Sequence, residues 1–241
     1  MAVPVTNPFA TRFTRPGRIE PLDAMGIPVD VDALLDRLRE LCGTAVIVGP
    51  HGSGKSTLLT HLAAAIERRG ERVRLARLHS WWDVPTAWKA IRRAAAGDTV
   101  CIDSWECLGV TARSVLRLAA RVSGCGLLVT SHRGTGMPEL IRCGTSASLL
   151  RSIVRSLPGH ACWHGQLIHE TDIDAAFALH GGNLRESLYE LYDRFEACAS
   201  RIRAAVGTGP DGRDGSDGGL HEIHESGDGF SYVGAPERNL G

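Results

Sequence analysis

A stretch of nine residues between an apolar run and a helix-forming run constrains this chain more than any other feature. Residues 49–57 read Gly-Pro-His-Gly-Ser-Gly-Lys-Ser-Thr and satisfy the pattern G-x-x-x-x-G-K-[ST]. Residues 44–48 are apolar and β-branched, as in a buried parallel strand, and residues 58–69 have helix-forming composition. Glycines let successive backbone N–H groups point at one anion, and a helix N-terminus adds the positive end of its dipole. The order strand, glycine loop and helix therefore predicts a loop that cradles phosphate groups.

Individual residues of this phosphate loop (residues 49–57) have distinct expected roles. Lys55 is placed to reach the β- and γ-phosphates of a nucleotide, and the Ser56 hydroxyl is placed to ligate Mg²⁺. The residues predicted to surround the phosphates are Gly49, Pro50, His51, Gly52, Ser53, Gly54, Lys55, Ser56 and Thr57. Asp103 ends a second apolar run, and its carboxylate is expected to hold Mg²⁺ through water beside Ser56.

Apolar runs alternate with helical patterns along residues 30–168. The buried strands are expected at 44–48, 99–103 and 126–130. Residues 72–78 suit an outer strand, and residues 160–168 are expected to contain a last one. This alternation predicts an α/β fold with a doubly wound parallel sheet of about five strands and right-handed crossovers. Trp81 and Trp82 could form a partner surface, but we expect them to cover the sheet edge, because tryptophan rarely stays exposed.

The chain divides into four segments on composition and periodicity. Residues 1–29 are rich in Pro, Arg and Thr and are expected to form an extended N-terminal arm, which Phe9 and Phe13 could pin to the domain surface. Residues 30–168 form the α/β core, and residues 169–205 form a small helical lid of two helices. Residues 206–241 are rich in Gly and Asp and lack the apolar area that would offset ordering entropy, so we expect a disordered tail.

Composition limits the class of partner and the compartment. Lys+Arg and Asp+Glu both total 27, so no overall charge favours nucleic acid or a membrane surface. Seven cysteines without a C-x-x-C pair are typical of a reduced cytoplasmic protein rather than of a disulfide or zinc scaffold. No apolar window approaches the ~18 residues of a membrane span, and the N-terminus has no signal-peptide core. We therefore expect a cytoplasmic protein with no membrane contact.

Two further groups of polar residues follow or precede apolar elements. Thr130, Ser131 and His132 end the third buried strand. Residues 181–185 read Gly-Gly-Asn-Leu-Arg and lead into an amphipathic helix.

These motifs give the chain a resemblance to known ATPases. Residues 44–58 resemble P-loop NTPases, and residues 30–200 more broadly resemble AAA+ and STAND-type ATPases of the strand-catalytic-glutamate division. The resemblance implies ATP and Mg²⁺ as ligands, and an extra strand between the loop strand and the Asp103 strand. It also implies that a polar residue at the tip of the extra strand, Thr130 among the three candidates, senses the γ-phosphate. Arg185 would then lean onto the nucleotide from the helical lid.

The position after Asp103 departs from the pattern of this division. Such ATPases usually carry glutamate there, whereas this chain has Ser104. Glu106 is the nearest alternative; it could polarise water as a general base, or it could be a first-turn helix acid that the dipole favours. Arg185 has an alternative too, as a solvent-exposed residue of a helix that Asn183 caps. Weak or absent ATP hydrolysis is consistent with these departures.

A regulatory or switch-like ATPase that hydrolyses ATP slowly fits these residues best, with a protein partner that recognises the closed state. A nucleotide or small-molecule kinase is the alternative, for which Arg142, Arg151 and Arg155 are available as acceptor-binding residues. A DNA-associated ATPase is a third hypothesis, although the neutral net charge of the chain does not support nucleic-acid binding. The absence of an N-K-x-D motif favours adenine over guanine, and residues 85–98 lack the LSGGQ-like signature of an ABC protein.

Overall fold

A parallel five-stranded sheet forms the centre of the protein, for which a computed structural model describes residues 6–207. The strands are β1 (Thr44–Val48), β2 (Val73–Arg77), β3 (Thr99–Asp103), β4 (Gly126–Ser131) and β5 (Glu139–Arg142). They lie in the order β2–β3–β4–β1–β5, and every neighbouring pair is parallel. The predicted α/β fold with a doubly wound parallel sheet is confirmed.

Helices connect the strands and flank the sheet. They are α1 (Thr11–Thr14), α2 (Val31–Glu40), α3 (Lys55–Arg68), α4 (Val84–Arg92), α5 (Val110–Ser123), α6 (Ala147–Ser156), α7 (His160–Trp163), α8 (Glu170–Leu179) and α9 (Leu184–Gly207). Two short 3₁₀ turns, Trp81–Asp83 and Trp105–Cys107, precede α4 and α5. The carboxylate of Asp30 accepts a hydrogen bond from the backbone N–H of Ala33 at 2.9 Å and so caps the start of α2.

Helices cover both faces of the sheet, and the side chains of a strand alternate between these two faces. In β1, Ala45 and Ile47 pack into a cluster with α2 and α3. Val46 and Val48 point the other way and pack into a cluster with α4 and α5. The continuous apolar composition of this strand therefore serves two separate cores.

The position of β4 determines where the strand ends meet. β4 lies between β1 and β3, as the resemblance to AAA+-like ATPases implies. In the registers of these pairs, Val48 lies opposite Ser131, and Ile102 lies opposite Val129. The carboxyl ends of β1, β3 and β4 consequently open at one edge of the sheet, which is the usual place for a ligand in an open α/β sheet.

The fifth strand differs from the sequence expectation. It is β5, at Glu139–Arg142, whereas residues 160–168 contain α7 and a single isolated bridge between His164 and Ile168. The expectation of a strand at 160–168 was therefore wrong. β5 has only four residues and one fully buried side chain, Leu140, so its apolar signal is too short to separate it from a loop.

A third cluster lies among the helices that follow the sheet. It joins α6, α7, α8 and α9 around the fully buried rings of Trp163 and Phe195. α6 belongs to this cluster although it precedes residue 169, where we placed the start of the helical lid. The predicted segment boundaries stay predictions.

The N-terminal arm is attached to this helical cluster by two adjacent contacts. The Phe9 ring is 1% exposed, and its centroid lies 5.3 Å from that of Trp163. The Asn7 amide donates hydrogen bonds to the carbonyl oxygen of Tyr192 at 3.0 Å and to the Glu196 carboxylate at 2.9 Å. Phe9 thus packs inside the cluster, deeper than the surface position that the sequence suggested.

The tail expected to be disordered from residue 206 lies outside the described residues, except that Val206 and Gly207 belong to α9. Within the part of the chain that the structure describes, none of the helices combines the length and hydropathy that a bilayer crossing requires.

Replacing Phe9 by alanine tests how strongly the arm is held. The change removes a ring that is 1% exposed, so we expect the free energy of unfolding to fall by about 3 kcal/mol or more. Urea denaturation followed by circular dichroism measures the loss. Met25→Ala is the control, because Met25 is 70% exposed and its removal should change stability by no more than ~0.5 kcal/mol. Equal stability of both variants would show that the arm packs elsewhere in solution.

Candidate functional site

The phosphate loop connects the carboxyl end of β1 to the first residue of α3. Gly52 and Gly54 have φ angles of 70° and 83°, a left-handed backbone conformation that residues other than glycine rarely adopt. Gly54 caps α3, which begins at Lys55 and so starts earlier than its helix-forming composition indicates. The positive end of the α3 dipole therefore faces the loop, as the predicted phosphate site requires.

Lys55 lies inside the loop. Its ammonium donates hydrogen bonds to the carbonyl oxygens of Gly49 at 2.8 Å and Pro50 at 2.6 Å. Burial holds the pKa of Lys55 below its ordinary value, and the nearby carboxylates of Glu106 and Asp103 oppose that effect. The loop thus holds one cation where its backbone N–H groups and the helix dipole also favour an anion.

The carboxylate of Asp103 is shared by hydroxyl groups from two other elements. Its Oδ1 atom accepts hydrogen bonds from Ser56 Oγ at 3.0 Å and from Thr130 Oγ1 at 2.7 Å. Asp103 is only 5% exposed. Ser56 at the start of α3, Asp103 at the end of β3 and Thr130 at the end of β4 thus lie in one site. Each was a candidate site residue in the sequence.

Arg77 also contacts this carboxylate, and sequence reasoning missed it. Its Nε atom lies 3.3 Å from Asp103 Oδ2. Arg77 ends β2 directly opposite Asp103 in the register of β2 and β3. Arg77 could have been identified only from the pairing of β2 with β3, and the sequence does not show that these two strands are neighbours.

Ser104 turns the chain sharply after β3. Its φ angle is 65°, and its backbone N–H donates a hydrogen bond to Thr130 Oγ1 at 2.9 Å. The buried side chain of Trp105 follows, and Glu106 lies in the middle of the 3₁₀ turn rather than in the first turn of α5. A left-handed residue other than glycine costs about 1 kcal/mol or more, so the surrounding contacts hold this turn in place.

Glu106 is held by a histidine from the neighbouring strand end. His132 Nε2 lies 2.5 Å from Glu106 Oε1, and the His132 ring centroid lies 3.5 Å from that of His51 in the phosphate loop. Of the three polar residues at the end of β4, Thr130 contacts Asp103 and His132 contacts Glu106. Ser131 Oγ instead accepts a hydrogen bond from the backbone N–H of Arg133 at 3.4 Å. Thr130 and His132 therefore both contact acidic residues of the site, and the sensing role assigned to Thr130 stays a prediction.

The start of α9 lies against the phosphate loop. Asn183 Oδ1 accepts a hydrogen bond from the backbone N–H of Arg185 at 3.2 Å and caps the helix. A Cβ atom added to Gly52 would lie 2.0 Å from that same oxygen, so only glycine fits at this contact. The Arg185 side chain is exposed and lines the same cavity as Lys55.

A cavity of about 250 Å³ opens beside the phosphate loop. Its walls come from the N-terminal arm, residues 52–58, the end of β5 and the first turns of α9. Its apolar lining includes Ile19, Leu22, Val29, Ile141, Leu188 and Tyr189. A flat apolar group attached to a phosphate chain could therefore bind in this cavity while the phosphates lie in the loop.

Strand order and loop geometry together confirm the resemblance to P-loop NTPases at the level of the fold. No protein-family model and no curated protein matches the sequence. Among solved structures, the chain is similar to the RuvB Holliday junction branch migration motor of Thermotoga maritima, with 14% identity and a TM-score of 0.43. It is also similar to PCH-2 of C. elegans, with 14% identity and a TM-score of 0.39.

These matches are partial. They cover 74% of this chain and 62% of the RuvB chain, and 72% of this chain and 67% of the PCH-2 chain. The chain therefore spans less than two thirds of the length of the RuvB structure. At these TM-scores the likeness adds nothing to what the strand order and the loop geometry show by themselves.

The contact between His132 and Glu106 gives a test by pH. Burial lowers the pKa of His132 below its ordinary value, an effect that outweighs the attraction of the Glu106 carboxylate and that Lys55 and His51 reinforce. The unfolded chain thus binds this proton more readily, so the contribution of His132 to stability is present above the unfolded pKa and is lost as pH falls through the folded pKa. An NMR titration should give a His132 midpoint below ~6.5.

The variant His132→Gln identifies the His132 signal and supplies the control for stability. Acidification from neutral pH should lower the free energy of unfolding more steeply in the wild type than in this variant. A His132 midpoint above ~6.5 would contradict the expectation, because it would mean that the charged pair with Glu106 dominates.

Proposed function

We propose that the protein binds MgATP and hydrolyses it slowly as a switch-like ATPase. The observation that carries this proposal is the convergence of Lys55, Ser56, Asp103 and Thr130 at the loop that follows β1. A buried ammonium, a helix N-terminus and a hydroxyl–carboxylate pair are the groups that a triphosphate and its cation need. The same groups would have little reason to converge in a merely structural glycine turn.

Adenine is the base that fits best beside this loop. The cavity of about 250 Å³ runs directly from residues 52–58 and has apolar walls from the arm and from α9. A purine there would be enclosed by Ile19, Val29 and Leu188, with Arg185 at the phosphate end. The sequence lacks the N-K-x-D motif for guanine, which favours adenine.

The residues present also fit Mg²⁺. Ser56 Oγ and Asp103 Oδ1 are oxygen ligands 3.0 Å apart, and Mg²⁺ prefers oxygen ligands completed by phosphates and water. Within residues 6–207, no group of three or more His, Cys, Asp or Glu side chains suits a metal bound by protein alone. Mg²⁺ bound beside Ser56 would neutralise phosphate charge.

Glu106 is the residue we assign to the attacking water. No carboxylate follows Asp103 directly, because Ser104 occupies that position and its left-handed backbone turns the chain. Glu106 lies close enough to Lys55 to be the largest contribution opposing the lowering of its pKa. The close contact of Glu106 Oε1 with His132 competes with a water molecule for the same carboxylate, which would make turnover slow.

The contact between Gly52 and Asn183 is the element that would make the protein a switch. It joins the phosphate loop to the first turn of α9, and α9 in turn carries the helical cluster and the N-terminal arm. A γ-phosphate that contacts both Lys55 and Arg185 would bind more tightly when the phosphate loop and α9 are close together than when they are apart. That difference in affinity is what shifts a two-state equilibrium, and a protein partner could then recognise the favoured state.

The three arginines that could bind the acceptor substrate of a kinase are all engaged in ion pairs, so they do not support the kinase alternative. Arg142 pairs with Glu139 at 2.6 Å, and Arg151 pairs with Asp174 at 2.6 Å. Arg155 lies 3.3 Å from Glu170. These three guanidinium groups therefore serve ion pairs on or between helices and the sheet edge, and we propose no acceptor site.

Replacing Lys55 by alanine tests the nucleotide site. Charged hydrogen bonds to phosphate contribute about 1.5–3 kcal/mol, so we expect ATP affinity to fall at least about tenfold. Isothermal titration calorimetry with MgATP measures the change. Arg68→Ala is the matched loss of a cation at the far end of α3, and it should leave the affinity unchanged. Equal affinity of wild type and Lys55→Ala would refute the site.

Replacing Glu106 by glutamine tests the assignment of the base. Glutamine keeps the size of the side chain and can still accept a hydrogen bond from His132, but it cannot take a proton. We expect ATP turnover to fall about 100-fold or more while the dissociation constant for MgATP stays within a factor of about two. Phosphate release under single-turnover conditions measures the rate. If both forms hydrolyse ATP equally, another group organises the water.

A further inference from the structure

The exposed side of α4 and of the turn before it carries aromatic and basic residues in two adjacent rows. The 3₁₀ turn Trp81–Asp83 runs directly into α4, so side chains four, seven and eleven positions apart share a face. The first row is Trp81, Pro85, Trp88 and Arg92, and the second row is Trp82, Thr86, Lys89 and Arg93. All eight residues are exposed. We call this surface the tryptophan–arginine face.

The tryptophans of this face do not cover the sheet edge, so the sequence expectation for Trp81 and Trp82 was wrong. Trp81 is 59% exposed, Trp82 is 70% exposed and Trp88 is 37% exposed. The rings of Trp81 and Trp82 stack on each other with their centroids 3.5 Å apart. The opposite side of α4 supplies the core contacts instead, through Ala87 and Ile91. Three exposed indole rings on one side of the turn and helix indicate a binding site.

The cations of this face are free to bind an anion. Lys89, Arg92 and Arg93 have no ion-pair partner among the residues that the structure describes. By contrast, Arg72 just before β2 lies 3.0 Å from Asp98, and Arg77 at the end of β2 lies 3.3 Å from Asp103.

The one acid in the sequence from residue 72 to residue 93 does not neutralise them. It is Asp83, whose carboxylate accepts hydrogen bonds from the backbone N–H groups of His79 at 2.7 Å and Ser80 at 3.0 Å.

We propose that the tryptophan–arginine face binds single-stranded nucleic acid. Unpaired bases would stack on the free faces of the indole rings, and the phosphates would pair with Lys89, Arg92 and Arg93. Stacking on aromatic side chains combined with basic residues along the backbone is how proteins bind single strands without reading their sequence. This inference goes beyond the proposed ATPase and does not depend on it, because none of these residues lies in the phosphate loop.

Other partners use only part of this surface. An acidic peptide or a duplex would engage the three cations but would leave the indole faces without bases to stack on. A membrane-surface helix separates its apolar side from its basic side, whereas here the indoles and cations occupy the same side and the apolar side is buried. Unpaired bases on a phosphate backbone satisfy both kinds of group at once.

Fluorescence anisotropy with a labelled oligothymidylate and with an oligouridylate, in the absence of ATP, tests the proposal. Alanine substitution of a stacking residue costs about 1–3 kcal/mol, so Trp82→Ala should weaken binding about 5- to 150-fold, and Trp82→Phe should weaken it far less. Arg92→Gln should weaken binding and reduce the slope of log K against log salt by about 0.7. Quenching of tryptophan emission on binding should be smaller in Trp82→Ala, while Trp105 and Trp163 stay buried and unaffected.

Two controls separate the possible outcomes. Arg68→Gln removes an exposed cation on α3, which covers the opposite side of the sheet, and should leave oligonucleotide binding unchanged. Lys55→Ala should also leave it unchanged, so a failure of the ATP proposal and a failure of this inference can be told apart. Undiminished binding by Trp82→Ala would overturn the proposal. Tighter binding to blunt duplex, polyglutamate or anionic vesicles than to the single strand would overturn it as well.

Discussion

The buried carboxylate of Asp103 is the group on which the geometry of the site depends. An ionised carboxylate away from water is costly unless it is hydrogen-bonded and paired, and Asp103 meets this requirement through Ser56, Thr130 and Arg77. Each partner comes from a different element, so one charge ties the start of α3 and the ends of β4 and β2 to the end of β3. The position of the phosphate loop relative to the sheet follows from these bonds.

The parts of the structure that sequence reasoning predicted are those whose signals are local. The phosphate loop, β1 and β3 each depend on residues within a few positions of one another. Thr130 and Asp103 were both identified because each ends an apolar run, and parallel strands bring their carboxyl ends to one edge. The division into arm, core, lid and tail has no such local signature and stays a prediction.

The features that sequence reasoning missed depend on which elements are neighbours in space, or on residues whose exposure differs from the usual tendency of their residue type. Arg77 matters because β2 lies beside β3, and the pairing of His132 with Glu106 joins two strand ends that the sequence treats separately. β5 has four residues, too few for a period to show. Trp81 was expected to cover the sheet edge because tryptophan is usually buried, but its side chain is 59% exposed.

The contact of the arm with α9 has a consequence for how the chain is made. Asn7 and Glu196 are hydrogen-bonded although 189 positions separate them, and Phe9 completes a cluster whose other members begin at Leu149. During synthesis, Asn7 and Phe9 leave the ribosome well before α9 and must therefore wait for that helix before they find their partners. Closing such a long loop is among the slow steps of folding, so the sheet is expected to form first and the arm to dock at the end. Until then, the cluster exposes the apolar surface that Phe9 will cover, and a nascent chain in that state is the one most in need of a chaperone.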